Sequence, residues 1–157
     1  MSAFDLAVTQ IASDRRGSVR PRNVRLVRER YVGNIGMLAL VYSDSSGVLN
    51  RALCGVQWGA TGQLRLSGGA SAREHVTSCA GPWQMSGGWS NGDQEQCYGG
   101  WLSHPEARHA RITDVYGVVA SDDPVNGVAL FICPRDFNVK GLRLELFTEG
   151  WEPVRDA

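Results

Sequence analysis

Apolar and charged residues alternate one for one through Leu142-Arg143-Leu144-Glu145-Leu146. That is the period of a strand with one buried and one wet face. Val128-Ala129-Leu130-Phe131-Ile132-Cys133 is apolar at every position, which predicts a central strand buried on both faces. Met37-Leu38-Ala39-Leu40-Val41-Tyr42 reads the same way. It runs through Ser43-Asp44-Ser45-Ser46-Gly47 into the apolar stretch Val48 to Val56. Ser, Asp and Gly in that cluster are turn residues, so the pair is expected to be a hairpin. Gln63 to Ser67 and the neighbourhood of Ala110-Arg111-Ile112 also alternate. With Val76 to Cys79 and Cys97 to Leu102, the expectation is eight to eleven short strands.

Glycine sets the spacing between these runs, at 19 of 157 residues. Only residues 1–16 exceed eleven positions without Gly or Pro. Globular helices usually run about 8–20 residues free of such breakers, so a largely helical or α/β fold is not expected. The expected fold is therefore all-β: a single two-sheet β-sandwich of immunoglobulin-like or jelly-roll type. The first segment is ambiguous. Phe4, Val8, Ile11 and Ala12 fit a helical stripe, and Phe4, Leu6 and Val8 fit a strand.

Charge changes this picture at one place. The chain is neutral overall, with sixteen basic and sixteen acidic residues. Residues 1–30 hold seven Arg against three acids, a net of +4, and residues 31–157 carry the compensating −4. Residues 1–30 are read as a basic N-terminal arm or edge segment, and 31–157 as the sandwich domain. Val19, Val24, Leu26 and Val27 lie among the arginines and favour an ordered strand over a nucleic-acid arm. Zero net charge also argues against a nucleic-acid partner. The apolar runs are too short for a membrane-spanning helix. The N-terminus lacks a basic region followed by an apolar stretch of leader length. An extracytoplasmic location is expected if a leader has been removed. Otherwise a cytoplasmic location, or a place in an assembly, is expected.

Catalytic and metal chemistry find little support. There is no GxSxG elbow and no HExxH, and Gly68-Gly69 and Gly87-Gly88 do not open helices as phosphate loops do. Asp122-Asp123 before Pro124 reads as a solvated turn. His75, Cys79, Cys97, His104 and His109 follow no zinc spacing. No catalytic residue, no metal site and no cofactor is assigned. Cys54, Cys79, Cys97 and Cys133 contain no CxxC pair. In an oxidising compartment the expected disulfides are Cys79–Cys97, closing the Gly-rich segment, and Cys54–Cys133, bridging two sheets. In a reducing one, all four are expected to be thiols.

The aromatic residues supply the candidate site. Trp83, Trp89, Tyr98 and Trp101 fall within nineteen residues, in a segment rich in Gly, Ser and Asn. Such a segment is expected to be loop-like and exposed. Its aromatic rings would then anchor a partner, or would instead fold back and cap the sandwich.

Residues 98–153 resemble a known group of domains. The carrying residues are Gly100 to Glu106, Ala110 to Gly117 with its Asp-x-x-Gly hairpin, and Val125-Asn126-Gly127 ahead of Phe131 and Pro134. The strand Leu142 to Leu146 and Glu149-Gly150 complete the order. This is similar to small β-sandwich domains of Gram-positive and related bacteria, commonly secreted or attached outside a membrane anchor. The resemblance implies a sandwich fold and an extracytoplasmic setting, and it supplies no catalytic residues.

Together these observations lead to a non-enzymatic interaction or structural domain. A protein partner, or self-association, is expected to engage residues 80–101. One alternative is a self-assembling structural subunit, of virion or filament type, that uses residues 1–30 as an arm between subunits. The other is a carbohydrate-binding module using Trp83, Trp89 and Trp101.

Overall fold

Ser2 and Asp5 start the first element. The Ser2 backbone and hydroxyl both donate to Asp5 Oδ2, at 2.9 and 2.7 Å, and the Asp5 N–H donates to Ser2 Oγ at 3.1 Å. This reciprocal cap satisfies amides that a helix leaves unpaired at its start. The Ser2 hydrogen bonds also hold the Asp5 carboxyl below its ordinary pKa. The segment left open by the sequence is therefore a helix, α1 (Ala3–Ser13). In the computed structural model, residues 1–13, 22–73, 81–90, 96–133 and 141–154 are described. Ten strands follow α1 among them: β1 (Arg22–Val32), β2 (Ile35–Ser43), β3 (Leu49–Trp58), β4 (Leu64–Arg73), β5 (Trp83–Ser90), β6 (Gln96–Leu102), β7 (His109–Asp114), β8 (Gly117–Asp122), β9 (Val128–Cys133) and β10 (Arg143–Phe147). The fold is all-β with one short helix, and the strands pair into three antiparallel sheets. No helix among the described residues is long and apolar enough to cross a membrane.

The chain divides into two compact units, Met1–Thr77 and Ser78–Ala157. In the first, β1-β2-β3-β4 form a four-stranded sheet in sequence order. The expected β2–β3 hairpin is present, and its turn is built on a buried Asp44. Asp44 Oδ1 accepts the N–H groups of Ser46 and Val48 at 2.9 and 3.0 Å, and Oδ2 accepts Asn50 Nδ2 at 3.3 Å. Ala3 and Ala7 of α1 pack on Leu38, Leu40, Cys54 and Val56. Small residues on the helix let its backbone lie close to the sheet. The strand β1 spans the boundary expected at residue 30 and is an edge of this sheet. Both α1 and β1 are elements of the N-terminal unit.

In the second unit, β5-β6-β9 and β10-β7-β8 form two three-stranded sheets. Their facing residues share one core. Ala110, Ile112, Val119 and Leu146 of one sheet cluster with Leu102, Ala129, Phe131 and Cys133 of the other. Phe131 and Ile112 are fully buried, and each contributes about 1.5–3 kcal/mol by leaving water. The predicted alternation in β10 is present. Leu144 and Leu146 pair with Ile112 and Ala110, while Glu145 pairs with Arg111. Glu145 and Arg111 form an ion pair at 2.7 Å. Of the expected core residues, Ile112, Leu130, Leu146, Leu40 and Val41 are buried, and Ile132 and Leu144 are half-buried. They do not all share one core: Leu40 belongs to the cluster under α1, and Ile112 and Leu146 to the cluster just described. The expected strand Val76 to Cys79 lies outside the described residues.

Two expectations need correction here. Val128–Cys133 is a strand with the expected bounds, but among the described residues it pairs with β6 alone and so lies at the edge of its sheet. Its outward amides therefore need an acceptor from elsewhere. One acceptor is Asp122, which was expected to be a solvated turn residue and is 7% exposed. Asp122 Oδ2 accepts the Leu130 N–H at 2.8 Å. A carboxylate acceptor makes this bond stronger than one between neutral groups.

Replacing Asp122 by Ala leaves the Leu130 amide buried without this acceptor. The expected loss is about 1–3 kcal/mol in urea denaturation, with Asp122→Asn losing less because it keeps a carbonyl. An Ala variant within about 0.5 kcal/mol of the parent, the range of ordinary surface changes, contradicts the assigned role.

Candidate functional site

The Gly/Trp segment is not a loop. Residues 83–90 and 96–102 pair as β5 and β6, with Gly87 opposite Gly99 and Ser86 opposite Gly100. The glycines allow three strands to close. A Cβ on Gly99 would run into the carbonyl oxygen of Ala129 in β9. A Cβ on Gly100, at φ +157°, would run into the carbonyl oxygen of Met85 in β5. Composition alone pointed to turns. The physical requirement is instead close backbone approach on both sides of β6.

The strands then separate the four predicted contact residues. Side chains alternate across a strand, so Tyr98 and Trp101 leave β6 on opposite faces. Trp83 and Tyr98 pack against the shared core, and Trp83 meets Tyr98 edge-on at 5.6 Å and Phe131 edge-on at 6.5 Å. Trp89 lies opposite Cys97. Its indole Nε1 is buried and has no hydrogen-bond acceptor among the described residues. Trp101 is 6% exposed. Trp83, Trp89 and Trp101 thus do not form one open face.

Trp83 and Tyr98 do line a groove of about 610 Å³. Its other wall is Leu142 together with β10, with Pro82, Pro153 and Val154 also lining it. The strand β10 is an edge of its sheet. Val154 N–H donates to the Leu146 carbonyl at 2.8 Å and occupies the far end of that edge. No strand among the described residues pairs with the rest of it. An aromatic wall from one sheet therefore faces the backbone edge of the other.

A second surface feature escaped the sequence reading. Trp151 is 60% exposed and holds φ at +61°, a left-handed conformation that is strained for a bulky residue. Its ring lies flat on His109, with centroids 3.8 Å apart and planes at 4°. His109 Nδ1 lies 2.8 Å from Asp123 Oδ1. Asp123 is thus the exposed half of the Asp122-Asp123 pair, and it orients a histidine. Nothing in the spacing of residues 109, 123 and 151 signals this contact, because three different elements supply it.

Cys54, Cys97 and Cys133 are buried thiols, and none is in a disulfide. Cys54 faces α1 in the N-terminal core and Cys133 lies in the C-terminal core. The expected Cys54–Cys133 bridge is therefore not formed, because each sulfur fills a different core. Cys79, the expected partner of Cys97, lies outside the described residues. Among the described residues no three His, Cys, Asp or Glu side chains are grouped to hold a metal.

The chain matches no protein-family model, no curated protein and no solved structure.

Two measurements check these placements. Trp101→Ala is expected to cost about 3–5 kcal/mol, as buried aromatics do, while Trp151→Ala stays near the roughly 0.5 kcal/mol of surface changes. Equal losses would show that burial has been misassigned. Burial also pushes the Cys54 thiol from 9.0 up to about 11. The fold favours the neutral thiol, so its contribution is complete below pH 9.0 and is lost as pH rises toward about 11. Urea denaturation across that window should lose on the order of 2 kcal/mol in the parent. The slope should flatten in Cys54→Ala, and an unchanged slope would refute the assignment.

Proposed function

We propose that this chain is a non-enzymatic interaction domain. In this reading its C-terminal unit is a small two-sheet β-sandwich that receives an apolar segment of a protein partner in the Trp83–Tyr98 groove. The observation that carries the reading is the junction of an aromatic wall with a strand edge that, beyond Val154, no strand among the described residues covers. Edge strands present unpaired backbone groups that an extended segment can bind, and adjacent pockets select its side chains. Aromatic residues in such pockets are the usual energetic anchors of interfaces. Two of the four contact residues expected from sequence, Trp83 and Tyr98, lie there. The resemblance of residues 98–153 to bacterial β-sandwich domains falls within the same unit.

The test is a selection of extended apolar peptides on the full chain. Leu142→Glu puts a charge on the groove wall and should weaken retained peptides at least tenfold, about 1.4 kcal/mol. Pro153→Arg, at an exposed margin of the groove, serves if the first variant is poorly folded. Trp151→Ala should leave binding unchanged. Peptides that bind both groove variants as well as the parent, or a parent that retains none, would overturn the reading.

A further inference from the structure

The C-terminal unit carries a second apolar surface feature, at the turn between β7 and β8. The β7–β8 hairpin turns through only two residues, since Asp114 pairs directly with Gly117. Those two residues are Val115 and Tyr116, each 88% exposed. Val118, 53% exposed, extends the apolar surface. Two-residue turns favour Asn, Asp and Gly for conformational reasons. Here the turn chemistry is supplied by the flanks. Asp114 Oδ1 accepts the Tyr116 N–H at 2.8 Å, and Gly117 takes the positive φ, +116°. The turn itself therefore gives no reason for a valine and a tyrosine at the apex. Their exposure also leaves them outside both cores. They form a braced apolar knob.

We infer that the partner received by the groove is a second copy of this chain, which inserts the Val115–Tyr116 apex; the inference rests on the groove reading above. The apex is apolar and aromatic, and the groove wall offers Pro82, Trp83, Tyr98 and Leu142 to it. Tyrosine against tryptophan and tyrosine gains from edge-on and offset ring contacts as well as from burial. Each contact joins the apex of one copy to the groove of another, and its repetition generates a reciprocal pair, a ring or an open chain. Two side chains bury far less than the area of a standard interface. The association is therefore weak and depends on concentration.

Sedimentation velocity on the full chain tests this over a wide dilution series. The parent should show a mass that rises with concentration. Val115→Ser combined with Tyr116→Ser should remain monomeric, and the exposed apex makes this variant safe for folding. Leu142→Glu, or Pro153→Arg in its place, should also remain monomeric. The decisive sample is an equimolar mixture of the apex variant and the groove variant. One contributes an intact groove and the other an intact apex, so the mixture should form a one-to-one pair that grows no further. A mixture that stays monomeric overturns the inference, as does an apex variant that associates like the parent. A parent that stays monomeric while still retaining apolar peptides overturns self-association alone and leaves the groove to a different protein. Loss of peptide binding as well overturns the reading beneath it.

Discussion

The C-terminal unit depends on a buried carboxylate that accepts one backbone amide. Asp122 reaches from β8 to Leu130 in β9 and ties together two sheets that share no strand. The apolar contacts between the sheets are numerous but non-directional, and they would tolerate sliding. The Asp122 bond at 2.8 Å adds a directed contact between the sheets to that apolar packing. The groove lies between strands of these two sheets.

Close backbone approach is the second constraint. Glycine at 99 and 100 brings β5 and β9 against β6. This costs conformational entropy and forgoes side-chain burial at those positions. The surrounding large residues compensate: Trp101, Leu130 and Phe131 are all buried. The sheet therefore combines a thin backbone centre with bulky flanks, which leaves Trp83 and Tyr98 room to pack edge to face.

Local pattern made much of the strand content legible. Val128–Cys133 and the 37–56 hairpin announce themselves because each reflects burial or turn chemistry within a few residues. The Gly/Trp segment was misread because its glycines answer to carbonyl oxygens on strands that pair with β6 from other parts of the chain. No local window contains that information. The division between Thr77 and Ser78 was equally silent, since the stretch Ala70 to Ala80 has neither Gly nor Pro to mark a linker. Asp122 looked like a turn residue because a buried carboxylate and a solvated one have the same sequence signature. Its partner amide lies eight residues away, across a sheet boundary. Trp83 and Tyr98 were found from sequence as candidate contacts, but the β10 wall opposite them was not.

Trp151 sets surface chemistry against backbone preference. Its turn closes with the Thr148 N–H on the Glu152 carbonyl and the Trp151 N–H on the Thr148 carbonyl, at 2.8 and 2.9 Å. Glycine or asparagine would adopt the left-handed conformation there with less strain. Either would also remove the ring that covers His109. The position is thus a local compromise in which relaxing the main chain would uncover an imidazole already oriented by Asp123. A side chain that lies outside both cores is thereby coupled to the geometry of the strand beneath it.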